Sequence, residues 1–226
     1  MNKLKIMLCT VVAIFGFTTV SNAFSLNGVY LEAGSSAVGV ELDGSHNDTT
    51  GLVSTGQLGK TAVTGSFGLG YMTSRDNRFG MDFGYMWSPG EAKLTTTSTH
   101  DNAQSPTVTF EVSDATEFYI APMINITEDA SLFFKFGKND ADTKVTGDVT
   151  KPSDLSGTTV ALGTVMSWGS NLFIRTEAGM TDYDKITVTG KGTGCGLNNS
   201  GCVATTTSVS ADPTVHYGKI AVGYKF

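Results

Sequence analysis

Eight stretches of this chain alternate bulky apolar residues with small or polar ones. In the second, Val63, Phe67, Leu69 and Tyr71 share one parity, while Thr64, Ser66, Gly68 and Gly70 take the other. In the third, Phe79, Met81, Phe83, Tyr85 and Trp87 oppose Gly80, Asp82, Gly84 and Met86. In the last, Ile220, Val222, Tyr224 and Phe226 oppose Lys219, Ala221, Gly223 and Lys225. Successive side chains of an extended strand point to opposite faces, so a period of two predicts strands. The pattern places them through 29–34, 63–72, 79–87, 118–126, 132–137, 159–168, 172–180 and 216–226.

The connections alternate too. Residues 74–78, 127–130 and 169–170 are short links, whereas 38–62, 88–106, 138–156 and 181–213 are polar and about 19 to 33 residues long. Short turns at one end and long loops at the other are the layout of a β-barrel that crosses a membrane. The fold expected is therefore all-β: an eight-stranded antiparallel transmembrane β-barrel with short periplasmic turns and four long extracellular loops. Both termini then lie on the periplasmic side.

Composition supports export. Lys3 and Lys5 precede an apolar run from Ile6 to Val20, and Ser21-Asn22-Ala23 offers small residues for cleavage. Residues 1–23 thus read as a signal peptide and 24–226 as one barrel domain. Cys9 lies inside the apolar run, which does not suit a lipoprotein. Without Lys3 and Lys5, 13 basic side chains stand against 21 acidic ones, a net charge of −8. A nucleic-acid partner is not expected of so acidic a chain. No run of about 18 apolar residues follows Ala23, so the chain has no candidate transmembrane helix.

The solvent of the outer face can be read from the same parities. Facing outward, the apolar parity carries rings near the strand ends, and these predict two girdles. Tyr85, Trp87 and Phe136 belong at the outer surface, and Tyr71, Phe79, Trp168, Tyr224 and Phe226 at the periplasmic edge. The opposite parity carries Glu32, Asp82, Glu117, Lys135, Arg175, Glu177 and Lys219 at comparable heights. Each Lys or Arg among them would cost roughly 2–4 kcal/mol facing lipid at mid-membrane. Inside a narrow lumen they can pair as a charge network and exclude a free water column.

These features resemble the small outer-membrane barrels of the outer membrane protein A and X type, with the opacity-type adhesins. The sharpest part is the terminal Val222-Gly223-Tyr224-Lys225-Phe226, which looks like the strand read by the barrel-assembly machinery, with Val222, Tyr224 and Phe226 carrying the signal. The interior charges are similar in kind to the ion-pair networks of such lumens. The resemblance implies outer-membrane lipid and lipopolysaccharide as surroundings, with periplasmic chaperones and the assembly machinery as transient partners. A monomer is expected, and the chain carries no counterpart of the peptidoglycan-binding domain of some relatives.

Chemistry is sparse. His46 and His100 lie in loops beside Ser45 and Asp101, and His216 begins the last strand; no nucleophile and base converge. Asp140, Asp142 and Asp148 lack the spacing and glycine pivot of a calcium loop. Cys195 and Cys202 lack further ligands for zinc and read instead as a local disulfide at the tip of a protruding hairpin. No metal, cofactor or catalytic residue is expected. The leading function is a structural or surface-interaction role, adhesin-like, through exposed loops that contact a host or cell-surface ligand. A narrow porin for small solutes is the alternative, and a lipid-modifying enzyme stands behind both.

Overall fold

The computed structural model describes residues 27–47, 53–75, 78–97, 107–146, 152–169, 171–194 and 203–226. The expected signal peptide and both loop cysteines lie outside these. The strands are β1 (Gly28–Asn47), β2 (Val53–Arg75), β3 (Phe79–Thr97), β4 (Thr107–Asn125), β5 (Ala130–Thr146), β6 (Leu155–Trp168), β7 (Leu172–Tyr183), β8 (Ile186–Gly194) and β9 (Val203–Lys225). Neighbours in sequence pair antiparallel from β1 to β7, β7 pairs with β9, and β9 pairs back to β1, which closes an eight-stranded barrel. The ninth segment, β8, continues β7 after Asp184-Lys185 and runs along β9 beyond the barrel wall.

Strand lengths correct the reading from alternation. Most of residues 38–62, 88–106, 138–156 and 181–213 extend the strands instead of looping: β1 and β2 stay in register from Gly28↔Met72 to Asn47↔Val53. The physical reason is that a strand beyond the bilayer is wetted on both faces. It keeps its ladder but loses the apolar parity that would reveal it. Ile126 is also moved: β4 stops at Asn125, and the Ile126 N–H donates to the Ala130 carbonyl at 2.8 Å to form the turn. Gly169 takes a left-handed φ of 76° in the β6–β7 turn, where a side chain would be strained.

The ladders do not all reach the same height. β2 pairs with β3 only from Arg75↔Phe79 to Phe67↔Trp87, nine rungs, and β5 pairs with β6 only as far as Ala141↔Leu155. A tilted strand needs 9–11 residues to cross the hydrocarbon. Above that closed band the described strands separate into two sheets, β3-β4-β5 and β8-β9-β1-β2. Where they part, β3 and β4 both bulge, between Ser88 and Glu91 and between Ser113 and Thr116. Asp114 sits in the second bulge at φ 51°, and Pro89-Gly90 forms the first.

Burial follows parity through the closed band. Phe67, Leu69, Tyr71, Phe83, Phe118, Phe134, Leu162, Ile220 and Val222 are exposed on the outer wall. The interior is layered. Met72, Ala121, Met123, Phe133, Val165 and Phe173 pack near the short turns. Ala141, Leu155, Tyr183 and Ile186 form a second apolar layer toward the long hairpins. The charges lie between the two.

Candidate functional site in the barrel lumen

The buried charged side chains among the described residues are Glu32, Asp82, Glu117, Lys135, Arg175, Glu177 and Lys219. Each sits on the inward parity of its strand, and together they form one alternating chain across the lumen. Asp82 Oδ2 accepts from Arg175 Nη2 at 2.5 Å. Arg175 Nε faces Glu32 Oε2 at 3.2 Å, and Glu32 Oε1 accepts from Lys219 Nζ at 2.8 Å. Lys219 approaches Glu177 Oε2 at 3.7 Å, Glu177 meets Lys135, and Lys135 donates to Glu117 Oε2 at 3.0 Å. The order is acid, base, acid, base, acid, base, acid.

Aromatic groups complete this belt. Tyr30 OH donates to Asp82 Oδ1 at 2.9 Å and lies 2.6 Å from Tyr119 OH, which in turn accepts from Arg175 Nη1 at 2.7 Å. Tyr217 donates to Glu177, and Lys219 also contacts Met86 Sδ at 3.2 Å. The Arg175 guanidinium lies 5.2 Å from the Phe133 ring centre, within cation–π range. Burying charge is tolerated only when it is paired and hydrogen-bonded, and this belt meets that demand nearly throughout. Alternation had not singled out Tyr30, Tyr119, Phe133, Phe173 and Tyr217. Each shares its parity with a neighbouring charge, the signal that could have found them.

Room for these rings comes from glycines on facing strands. A Cβ on Gly223 would run into the Phe173 ring, and one on Gly84 into the Tyr119 ring. The small residues of the inward parity are thus seats for large ones. A lumen of eight strands is narrow enough for side chains to fill it, and here they do so at mid-height.

On the outer wall, Tyr71, Phe79, Trp168, Tyr224 and Phe226 are exposed near the short turns, and Trp87 is exposed at the last β2–β3 rung. Tyr85 is half-buried, its ring 4.7 Å from that of Phe118. Phe136 is exposed as well, five rungs below Ala141, the last β5 position paired with β6. At the closing seam the Phe226 N–H donates to the Val29 carbonyl at 2.9 Å, and the Tyr224 and Phe226 rings meet edge-on. Val222, exposed, pairs with both Ala33 and Ile174.

Above the bulges a cavity of about 600 Å³ is lined by Tyr85, Trp87, Asp114, Asp140, Asp142 and Asp154 among others. Among the described residues no group of three or more His, Cys, Asp and Glu side chains is arranged to hold a metal ion. His216 is exposed on β9, and His100 lies outside the described residues. Cys195 and Cys202 also lie outside them; they are the next positions after the last β8–β9 rung, Gly194↔Val203.

No family model matches the chain, and no curated protein matches it in sequence. Solved structures do match in fold. The crystal structure of the outer membrane protein OprG from Pseudomonas aeruginosa is similar at a TM-score of 0.57 and 14% identity, over 91% of this chain and 99% of that one. The solid-state NMR structure of the outer membrane protein AlkL in lipid bilayers is similar at 0.54 and 16%, over 93% of this chain and 96% of that one. At such identities the likeness is one of architecture. The chain has the fold of a small outer-membrane barrel.

Proposed function

We propose that this protein is a closed outer-membrane anchor that presents extended β-hairpins to the outside of the cell and recognises surface ligands with them. The observation that carries the reading is the belt of seven buried charges between two apolar layers, which leaves the lumen side chains instead of a water column. A pore of this width would need that space. The hairpins supply the rest of the argument: β1–β2 keeps its ladder for fourteen rungs beyond the last β2–β3 contact, far more strand than a connection needs. Export by the residue 1–23 leader, insertion by the assembly machinery and a monomeric state in lipid and lipopolysaccharide complete the proposal. Catalysis has no part in it.

Two measurements test it. In planar bilayers the refolded protein should give no steady conductance at neutral pH; a stable ohmic current would overturn the plug. Cells displaying the protein should bind immobilised matrix proteins or epithelial cells more than cells displaying a variant cut back to the closed band. Equal binding would overturn the surface role.

A further inference from the structure

The belt contains four carboxylates, Glu32, Asp82, Glu117 and Glu177, and three cations, Lys135, Arg175 and Lys219. Fully ionised it would carry one uncompensated negative charge between apolar layers, a state that a low-dielectric interior strongly disfavours. The alternating chain shows where the imbalance falls, because both of its ends are acids. Asp82, at one end, has Arg175 and the hydroxyls of Tyr30 and Tyr119. Glu117, at the other, has Lys135 on Oε2 alone.

Four buried side-chain atoms of the belt make no hydrogen bond: Glu32 Oε2, Arg175 Nε, Glu177 Oε2 and Glu117 Oε1. The first two face each other as an ion pair at 3.2 Å, and the third faces Lys219 at 3.7 Å. Glu117 Oε1 faces no cation. It is pressed against β5, where a Cβ on Gly137 would run into it, so a metal ion with its own ligand shell has no room there. A proton needs none.

We infer that the plug binds one proton at Glu117, and that losing this proton in alkali loosens the plug. The groups facing Glu117 are named by strand. Met86 of β3 and Asn139 of β5 are its rung partners, and Lys135 of β5 is the one cation within ion-pair distance of it among the described residues. Across the lumen stand Glu177 and Tyr183 of β7, and Tyr217 and Lys219 of β9. Lys135 and Lys219 are already engaged with Glu177, and Tyr217 donates to that same carboxylate. The Tyr183 hydroxyl is taken by Asn139 Oδ1 at 2.7 Å. Deprotonation therefore sets a second carboxylate beside Glu177 while the belt's three cations are already paired, and water must enter to solvate it. The proton passes to bulk solvent and no other bond changes. This inference rests on the filled lumen and stands whether or not the hairpins bind a ligand.

The first test reads the proton in the wild-type protein. With ¹³C-labelled glutamate and aspartate carboxyls in lipid bilayers, one buried carboxyl should give the signal of the acid form at neutral pH. It should be absent from Glu117→Gln. A belt that is fully ionised at neutral pH overturns the proposal, and so does an acid signal that persists in the variant. The second test reads linkage. Because Glu117 ionises in the unfolded chain, folding should take up one proton. The wild-type folding equilibrium relative to that of Glu117→Gln should fall about tenfold per pH unit from the ordinary carboxyl range up to the alkaline pH at which the folded protein releases the proton, and level off beyond it. A ratio that does not move with pH overturns it. Conductance and hydrogen exchange of belt residues should rise in alkali for the wild type only; an equal rise in Glu117→Gln overturns the role in loosening. Should the variant fail to fold, the wild-type carboxyl signal and its titration decide alone: an acid signal lost together with a rise in conductance supports the proposal, and an ionised belt overturns it.

Discussion

Arg175 on β7 and Asp82 on β3 lie 93 positions apart in sequence and meet across the lumen at 2.5 Å. The same guanidinium also faces Glu32 and donates to Tyr119, so one side chain ties four strands together.

Replacing Arg175 by Ala should therefore leave buried Asp82 without a cation and Glu32 with Lys219 alone. Removing one partner of a buried pair costs about 3–5 kcal/mol. Urea unfolding in lipid vesicles should show a loss of that order, and the temperature at which the folded band shifts on detergent gels should fall. The double change Arg175→Met with Asp82→Asn should lose less than the sum of its parts. Additive losses would show that the two groups do not act together.

The seating of rings over glycines gives a second prediction. Gly223→Val should destabilise the barrel by about 1–3 kcal/mol through overpacking against Phe173. Pairing it with Phe173→Leu should recover part of the loss. A variant as stable as the wild type would mean that the ring can move aside freely.

Assembly supplies the third. Phe226 is exposed, 67% accessible, at the seam where β9 meets β1, whereas the Lys225 side chain lies on the inward parity. Deleting Phe226, or changing it to Asp, should reduce outer-membrane insertion far more than Lys225→Gln, as read by the fraction of heat-shiftable protein in membranes. Equal insertion of all three would show that the terminal aromatic is not the signal.

How much of this was legible beforehand depended on where contrast survives in the sequence. The seven belt charges stood out because Arg175 or Asp82 beside lipid-facing Ile174 or Phe83 breaks parity visibly. Tyr30 and Phe133 did not, because an inward ring between outward apolar residues blurs the alternation. The long strand extensions were hidden for another reason: a stretch such as Val53-Ser54-Thr55-Gly56 has no alternation of apolar and polar residues to mark it. The bulge at Pro89-Gly90 was readable in principle, since proline and glycine inside a strand often mark one. The chain-like order of the belt was not, because it depends on which side chains reach across the lumen.

The hairpin tip is the fourth case. In sequence, Cys195 and Cys202 are the residues next to the Gly194↔Val203 rung, one just after β8 and one just before β9. A bond between them would close a ring of about eight residues and contribute roughly 2.5 kcal/mol to the tip on the chain-entropy estimate. Intact-mass measurement on protein from the oxidising route should find both thiols lost. Cys195→Ser should leave the heat-shifted band unchanged and make the tip easier to cleave on whole cells. Free thiols in the wild type would refute the bond, and loss of the folded band in the variant would refute its local character.

The parting of the wall above Phe67↔Trp87 has an engineering consequence. Within the described strands the β3-β4-β5 sheet shares no ladder with β1-β2 above that rung, so a foreign segment spliced into one tip has no hydrogen-bonded route by which to disturb the other. Closure of the band below is set by other residues altogether. The chain is thus suited to serve as a display scaffold. Cargo can be grafted at either sheet while the membrane-embedded ring, with its buried charges, keeps its own register.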